Sequence, residues 1–235
     1  MTGPGNGTVW LRIDHDLIGR AIAEKLRRRN DRSNLDDSIS ITEDVETLNR
    51  RRVASEGGGV MEDLLTTSDA LISTCGQYRY WLARQWDASK PRMGIIMLNP
   101  STADASIDDP TIRRCMSFAR REGFGGIQVF NLFAFRATSP DDMRAAANPV
   151  GPENDQWLST ALRSSAASGR PILAAWGTHG HFRGRANYVT GMARLHGATL
   201  VCLGTTKDGH PKHPLYVMGS QPLVPFSLST ARTGG

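Results

Sequence analysis

The sequence predicts an α/β fold: a three-layer sandwich with a central, mainly parallel sheet, preceded by a helical N-terminal appendage. Three observations predict it. Four continuous apolar runs, "MGIIMLN", "IQVFNLFAF", "RPILAAWG" and "TLVCLG", have the length and β-branched or aromatic content of strands buried on both faces. Stretches with helical patterning separate them, as right-handed crossovers between parallel strands require. Each run ends in polar or small residues, where open α/β sheets keep their ligand crevices.

The elements follow in order. Residues 1–60 form the appendage. "IDHDLIGRAIAEKLRRRN" places Leu17, Ile18, Ala21 and Leu26 near helical spacing, and "ITEDVETLNRRRVA" suits a second short helix with Thr42 as N-cap. "SEGGG" at 55–59 reads as a linker. The main domain, 61–235, begins near Met61. "YRYWLARQW" at 78–86 is partly alternating and aromatic, hence a strand. The first buried strand, 93–99, leads to Asn99-Pro100-Ser101. A helix then opens with Asp109 as cap and Pro110 in its first turn. The second buried strand, 127–135, contains Asn131 and Phe133. Ser139-Pro140 starts a further helix, and "ENDQWLSTALRSSA" another. The third strand ends in Trp176-Gly177. A helix over "GRANYVTGMARLHG" precedes the fourth strand, and "TTKDGHPKHPLY" is a loop.

Composition narrows the function classes. With 235 residues, 39% hydrophobic and 22% charged, the chain suits one sizeable globular domain with an appendage. No apolar run approaches the roughly 20 residues that span a bilayer, and no secretory signal is legible, so a cytoplasmic setting is expected. Cys75, Cys115 and Cys202 form no CxxC pair and read as buried small hydrophobes. Residues 1–60 hold ten basic and ten acidic side chains, so the whole net charge of +5 lies beyond them. That excess leans towards a polyanionic partner.

The strand ends supply the candidate chemistry. Asn99 is an amide, which cannot act as a base near neutral pH but can orient a water. Asn131 offers a donor and an acceptor, which suits a nucleobase edge. His213 can donate to developing negative charge. Asp104, Asp108 and Asp109 are the nearest candidates for a general base, with helix capping the competing role for Asp109. His179, His181, His210 and His213 lie in two strand-end loops, but H-x-H and H-x-x-H match no tight zinc signature, so neither metal nor organic cofactor is expected. The P-loop, nucleophile-elbow and Rossmann patterns are not found.

The ordered series "MLNPSTAD", "DPTIRRC", "NLFAFRAT", "AWGTHG" and "KHPLYV" resembles the DUF1643 family over roughly residues 75–218. More distantly, the same order is similar to the uracil-DNA glycosylase superfamily. That resemblance implies a uracil-DNA glycosylase-like fold and places Asn99 as the water-positioning residue, Asn131 as the base reader and His213 as the stabiliser of the leaving base. It puts Pro100, Ser101, Phe133 and Trp176 around the base, with Asp104 or Asp108 as a helper. Two departures stand out. The phosphate-gripping serine of the usual His-Pro-Ser-Pro loop is replaced by Leu215, a candidate duplex wedge or simply a packing residue. No aromatic follows Ser101 to stack on a flipped base.

The resulting expectation is hydrolysis of the N-glycosidic bond of a flipped, modified pyrimidine in DNA, as in defence against phage with hypermodified bases. Arg113, Arg114, Arg183, Arg185, Lys207 and Lys212 are the candidate phosphate contacts. The rival expectation is a non-enzymatic nucleic-acid-binding or nucleotide-sensing module on the same fold. A zinc hydrolase built on the histidines is a third.

Overall fold

The computed structural model describes residues 66–101 and 109–228. The appendage expected over 1–60, and Asp104 and Asp108, lie outside the described residues. No helix among the described residues is long and apolar enough to cross a membrane.

Seven strands form one sheet: β1 (Thr67–Ile72), β2 (Arg79–Gln85), β3 (Arg92–Met97), β4 (Gly126–Asn131), β5 (Ile172–Ala174), β6 (Leu200–Cys202) and β7 (Val224–Pro225). Their spatial order is β1-β2-β4-β3-β5-β6-β7. The four apolar runs are β3, β4, β5 and β6, and all three pairings among them are parallel. The flanks differ from expectation. β1 on β2, β2 on β4 and β7 on β6 are antiparallel, so the sheet is mixed rather than mainly parallel. For β1 on β2 the reason is local. β1 and β2 are joined by a tight hairpin turn with Gly76 at φ +73°, and a turn this short can only reverse the chain.

Four helices connect the strands: α1 (Pro110–Arg121), α2 (Pro140–Ala145), α3 (Asn154–Ser168) and α4 (Arg185–Leu195). Two of their starts are written in the sequence. Asp109 accepts the Ile112 N–H at 2.8 Å and Ser139 accepts the Asp142 N–H at 3.1 Å, each followed by proline. Strand alternation divides the core. Met93, Ile95, Met97, Ile127 and Val129 pack against Ile112, Cys115, Met116 and Phe118 of α1. Leu158 and Leu162 of α3 and Val189 of α4 are fully buried outside that cluster. The apolar face of α1 alone buries five side chains, at about 1.5–3 kcal/mol for each large one.

The strand order positions the site. The chain leaves β3 for β4 on one side, then returns past β3 to β5 on the other. Adjacent strands whose connections diverge leave a gap beyond their C-terminal ends. Here the gap lies between Leu98–Pro100, after β3, and Ala175–Gly177, after β5.

Candidate functional site

The β3 side of the gap is laced to the end of β4. Parallel pairing continues past both strands: Leu132 N–H donates to the Met97 carbonyl (2.8 Å) and Phe133 N–H to that of Leu98 (2.9 Å). Asn99 Nδ2 donates to the Ala137 carbonyl (2.9 Å), and Ala137 N–H donates to that of Pro100 (3.0 Å). Carbonyls only accept, so the Asn99 amide must present its nitrogen to them and keep Oδ1 for another donor, such as water. Ser101 Oγ donates to Asp109 Oδ2 (3.3 Å), which ties the loop to the start of α1. Asp109 thus acts as the cap.

Asn131 ends β4 and is almost wholly buried. Its side-chain amide makes no hydrogen bond among the described residues. Its backbone is braced instead: Asn154 Nδ2 donates to the Asn131 and Leu132 carbonyls, both at 3.0 Å. Arg185 Nε adds a bond to the Leu132 carbonyl at 2.7 Å and its guanidinium pairs with Asp155. Arg185, expected to meet phosphate, is buried in this brace.

The β5 side depends on two glycines. Gly177 has φ +70° and ψ −167°, a conformation essentially reserved for glycine. A Cβ there would lie 3.8 Å from the Cβ of His213, so the third strand end and the His-Pro loop adjoin. Gly180 lies so close to the Trp176 ring that an added Cβ would fall 2.2 Å from Cδ1. Trp176 is consequently buried, with Phe226 edge-on to it at 5.5 Å. Phe133 is buried as well, beside Phe182. Both rings form the floor of the strand ends rather than an open stacking surface.

His213 is returned to the gap by the loop after β6, closed by the Thr205–Pro211 bridge and by Lys212 N–H donating to the Gly204 carbonyl (2.9 Å). Its Nδ1 accepts the Leu215 N–H (3.3 Å) at the head of a 3-10 turn, Pro214–Tyr216. A neutral imidazole with Nδ1 occupied as acceptor carries its proton on Nε2. Burial lowers the His213 pKa from its ordinary 6.5, outweighing the opposing pull of the Asp109 carboxylate. The side chain is therefore a neutral Nε2–H donor at pH 7. Arg114 holds the loop from α1, donating to the Val217 carbonyl (2.6 Å) and the Pro214 carbonyl (3.4 Å) while lying over Phe118.

Outside the gap, Arg113, Arg183 and Lys207 are exposed and Lys212 half-buried. They lie on segments that follow strand ends. Leu215 is 43% exposed, with Tyr216 and Met218 beside it more so. The histidines do not converge. His179 contacts Arg144 (3.0 Å), and His181 contacts the Thr178 carbonyl and stands 5.7 Å ring-to-ring from His210. Among the described residues no three His, Cys, Asp or Glu side chains are grouped to hold a metal ion. Cys115 is buried and its thiol pushed up to about 12, and Cys202 is buried too, but Cys75 is exposed in the β1–β2 turn. The buried reading of the cysteines holds for two of the three.

Arg79, Arg136 and Asn154 were not among the expected site residues. Arg79 is 5% exposed at the start of β2. Because β2 runs against β4, that start lies at the same sheet edge as Asn99. Alternation in "YRYWLARQW" gave no sign that an arginine there is internal.

Fold and site together define a mixed α/β protein with polar side chains gathered beyond the strand ends at the switch point of its sheet. The chain belongs to the family described as "Protein of unknown function (DUF1643)", whose model matches residues 79–215. That span encloses Asn99, Asn131 and His213. No curated protein and no solved structure matches the chain.

Proposed function

We propose that the protein is a DNA glycosylase with a uracil-DNA glycosylase-like fold, hydrolysing the N-glycosidic bond of a flipped, modified pyrimidine. The observation that carries this reading is that Asn99 follows β3 while His213 adjoins Gly177 at the end of the neighbouring β5, on the two sides of the sheet's switch point. One is an amide whose Nδ2 is turned to carbonyls; the other is an imidazole whose Nδ1 accepts the Leu215 N–H.

The chemistry divides between the two. The target nucleotide leaves the stack and enters the crevice. Asn131 reads the base edge with its unengaged amide. The glycosidic bond breaks with its electron pair moving onto the base, and the His213 Nε2–H stabilises that negative charge. Asn99 Oδ1 accepts a hydrogen bond from water and directs its oxygen to the oxocarbenium-like sugar carbon, and the proton released as the C–O bond forms neutralises the departing base anion. Pro100 and Ser101 line that approach, with Asp104 or Asp108 as helper. Arg113, Arg183, Lys207 and Lys212 meet backbone phosphates, and Leu215 enters the space the base leaves. A hypermodified phage base as substrate would make this a defence enzyme in the cytoplasm. No metal or organic cofactor takes part.

The test is base release followed by mass spectrometry. Substrates would be uracil-containing DNA, mismatched DNA and genomic DNA from phages with modified pyrimidines, with Asn99→Ala as the control. Free base plus abasic sites, lost in the variant, is the expected result. Salt-sensitive binding without release from any DNA would replace this reading with a nucleic-acid-binding or nucleotide-sensing module.

A further inference from the structure

The segment after His213 turns large apolar side chains to solvent from an anchored backbone. Leu215 is 43%, Tyr216 83% and Met218 73% exposed, whereas Val217 between them packs against the core cluster under α1. Two arginines of α1 pin the segment: Arg114 donates to the Pro214 and Val217 carbonyls, and Arg121 to that of Gly219. Within the turn the Tyr216 N–H donates to the His213 carbonyl (3.0 Å) and the Leu215 N–H to His213 Nδ1 (3.3 Å). With these backbone groups used locally, the segment offers side chains outward.

Tyr216 is the aromatic of this surface, its ring 5.5 Å from that of His213. The other rings at the strand ends are enclosed: Phe133 and Trp176 are buried, and Phe182 and Phe135 are half-buried against Phe133 and Tyr78. The surroundings are cationic. Lys207 and Lys212 lie on the loop that leads to His213, and neither makes a salt bridge among the described residues. Asp208 is the one acidic residue between Gly204 and Gln221. An exposed ring at the edge of a cationic loop matches a nucleic-acid strand, which brings phosphates to the lysines and base faces to the ring. A second copy docking through the same patch would set its own lysines against these.

We propose that Tyr216 stacks on an unpaired base of the bound strand, next to the nucleotide that His213 meets. The proposal rests on the preceding reading in taking the ligand to be a DNA strand at His213. In a paired duplex both faces of each base are covered by its neighbours, so the ring gains a partner only where the strand is single or opened. The substrate class is therefore single-stranded or locally opened DNA. Every base has a π-face, so Tyr216 adds affinity without choosing the target base.

Binding to the full chain, read by fluorescence anisotropy, tests this apart from catalysis. The probes are a single-stranded oligonucleotide with one uracil, the same strand in a fully paired duplex, and the same strand with abasic sites flanking the uracil. The wild type should bind the intact single strand about tenfold tighter than either of the others. Tyr216→Ala should lose that advantage and bind the abasic-flanked strand as the wild type does, while Tyr216→Phe should keep it. A 2-aminopurine beside the uracil should be quenched by the wild type and not by Tyr216→Ala. No binding of any strand, single-strand binding unchanged in Tyr216→Ala, an equal loss on the abasic-flanked strand, or duplex binding as tight as single-strand binding overturns the proposal. A dimer in sedimentation that Tyr216→Ala dissociates assigns the ring to a second copy and overturns it as well. Absent base release alongside Tyr216-dependent strand binding would overturn the glycosylase reading and leave the stacking role standing.

Discussion

The Asn99 wall of the crevice is fastened by backbone, whereas the His213 wall is fastened by side chains. Asn99 sits where parallel pairing runs on beyond the strands, through the bonds at Leu132, Phe133 and Ala137. His213 is on a loop that backbone bonds close on itself, and Arg114 donates from α1 to the Pro214 and Val217 carbonyls just beyond it. Sheet hydrogen bonds open cooperatively with the core, while part-buried arginine-to-carbonyl bonds outside the sheet can open without it. The difference teaches which half is pre-set and which can adjust. Water would be positioned by the rigid wall, and the leaving base would be met by the movable one.

The strongest way to break this comparison is at Asn99. Asn99→Ala should lower base release by about 10²–10³-fold, measured by single-turnover kinetics. Loss of its bond to Ala137 should cost only about 1 kcal/mol of stability. A fall in activity explained entirely by unfolding would remove the distinction between positioning and support. Asn154→Ala comes next. It strips a donor from two carbonyls at the end of β4 and should destabilise the fold by about 1–3 kcal/mol, seen as a thermal shift of about 2–4 °C per kcal/mol.

Arg114→Ala sharpens the other side. With the loop released, base release should fall roughly 10- to 100-fold from misplacement of His213, while the melting temperature moves little. Equal losses in stability for Asn154→Ala and Arg114→Ala would show that the two walls are held alike. The smallest effect is a pH dependence. The folded-state pKa of His213 lies below its ordinary 6.5. Above pH 6.5 the ring is neutral both folded and unfolded. As pH falls below 6.5 the unfolded chain takes up the proton first, so stability is lost. Thermal melts from pH 7.5 to 5 should fall less steeply for His213→Gln than for the wild type.

The parallel centre of the sheet was legible because its strands are buried on both faces and therefore read as unbroken apolar runs. The starts of α1 and α2 were legible because Asp109-Pro110 and Ser139-Pro140 combine a cap with a residue suited to the first helical turn. β1 was not, since "TSDALI" is an exposed, largely polar edge strand with no periodic signal. The direction of β1 relative to β2 is set by a turn, not by composition. Around the sheet's switch point, Asn99 and His213 are singled out in the sequence as polar residues beyond apolar runs and by the order of motifs that resembles a known superfamily. Asn154 and Arg185 were missed as braces because an asparagine opening a helix and an arginine near a helix start usually face water. Trp176 is expected around the base, but Gly180, four residues further on, lets the chain cover its ring. Such contacts depend on how loops fold back, which one-dimensional spacing does not carry.

One consequence concerns the two ends of the sheet rather than its centre. β7 is only two residues long, and its second residue, Pro225, pairs with Val201. Proline has no N–H to offer an incoming strand, so this margin is a poor template for chain-to-chain association. At the opposite margin Thr67, Ser68 and Asp69 are exposed, and Asp69 turns its carboxylate to the Ala70 N–H at 2.8 Å. A negative charge on an edge discourages a second copy from docking there. Both margins of the seven-stranded sheet thus carry groups that disfavour pairing with a further strand, even though its interior strands are strongly apolar.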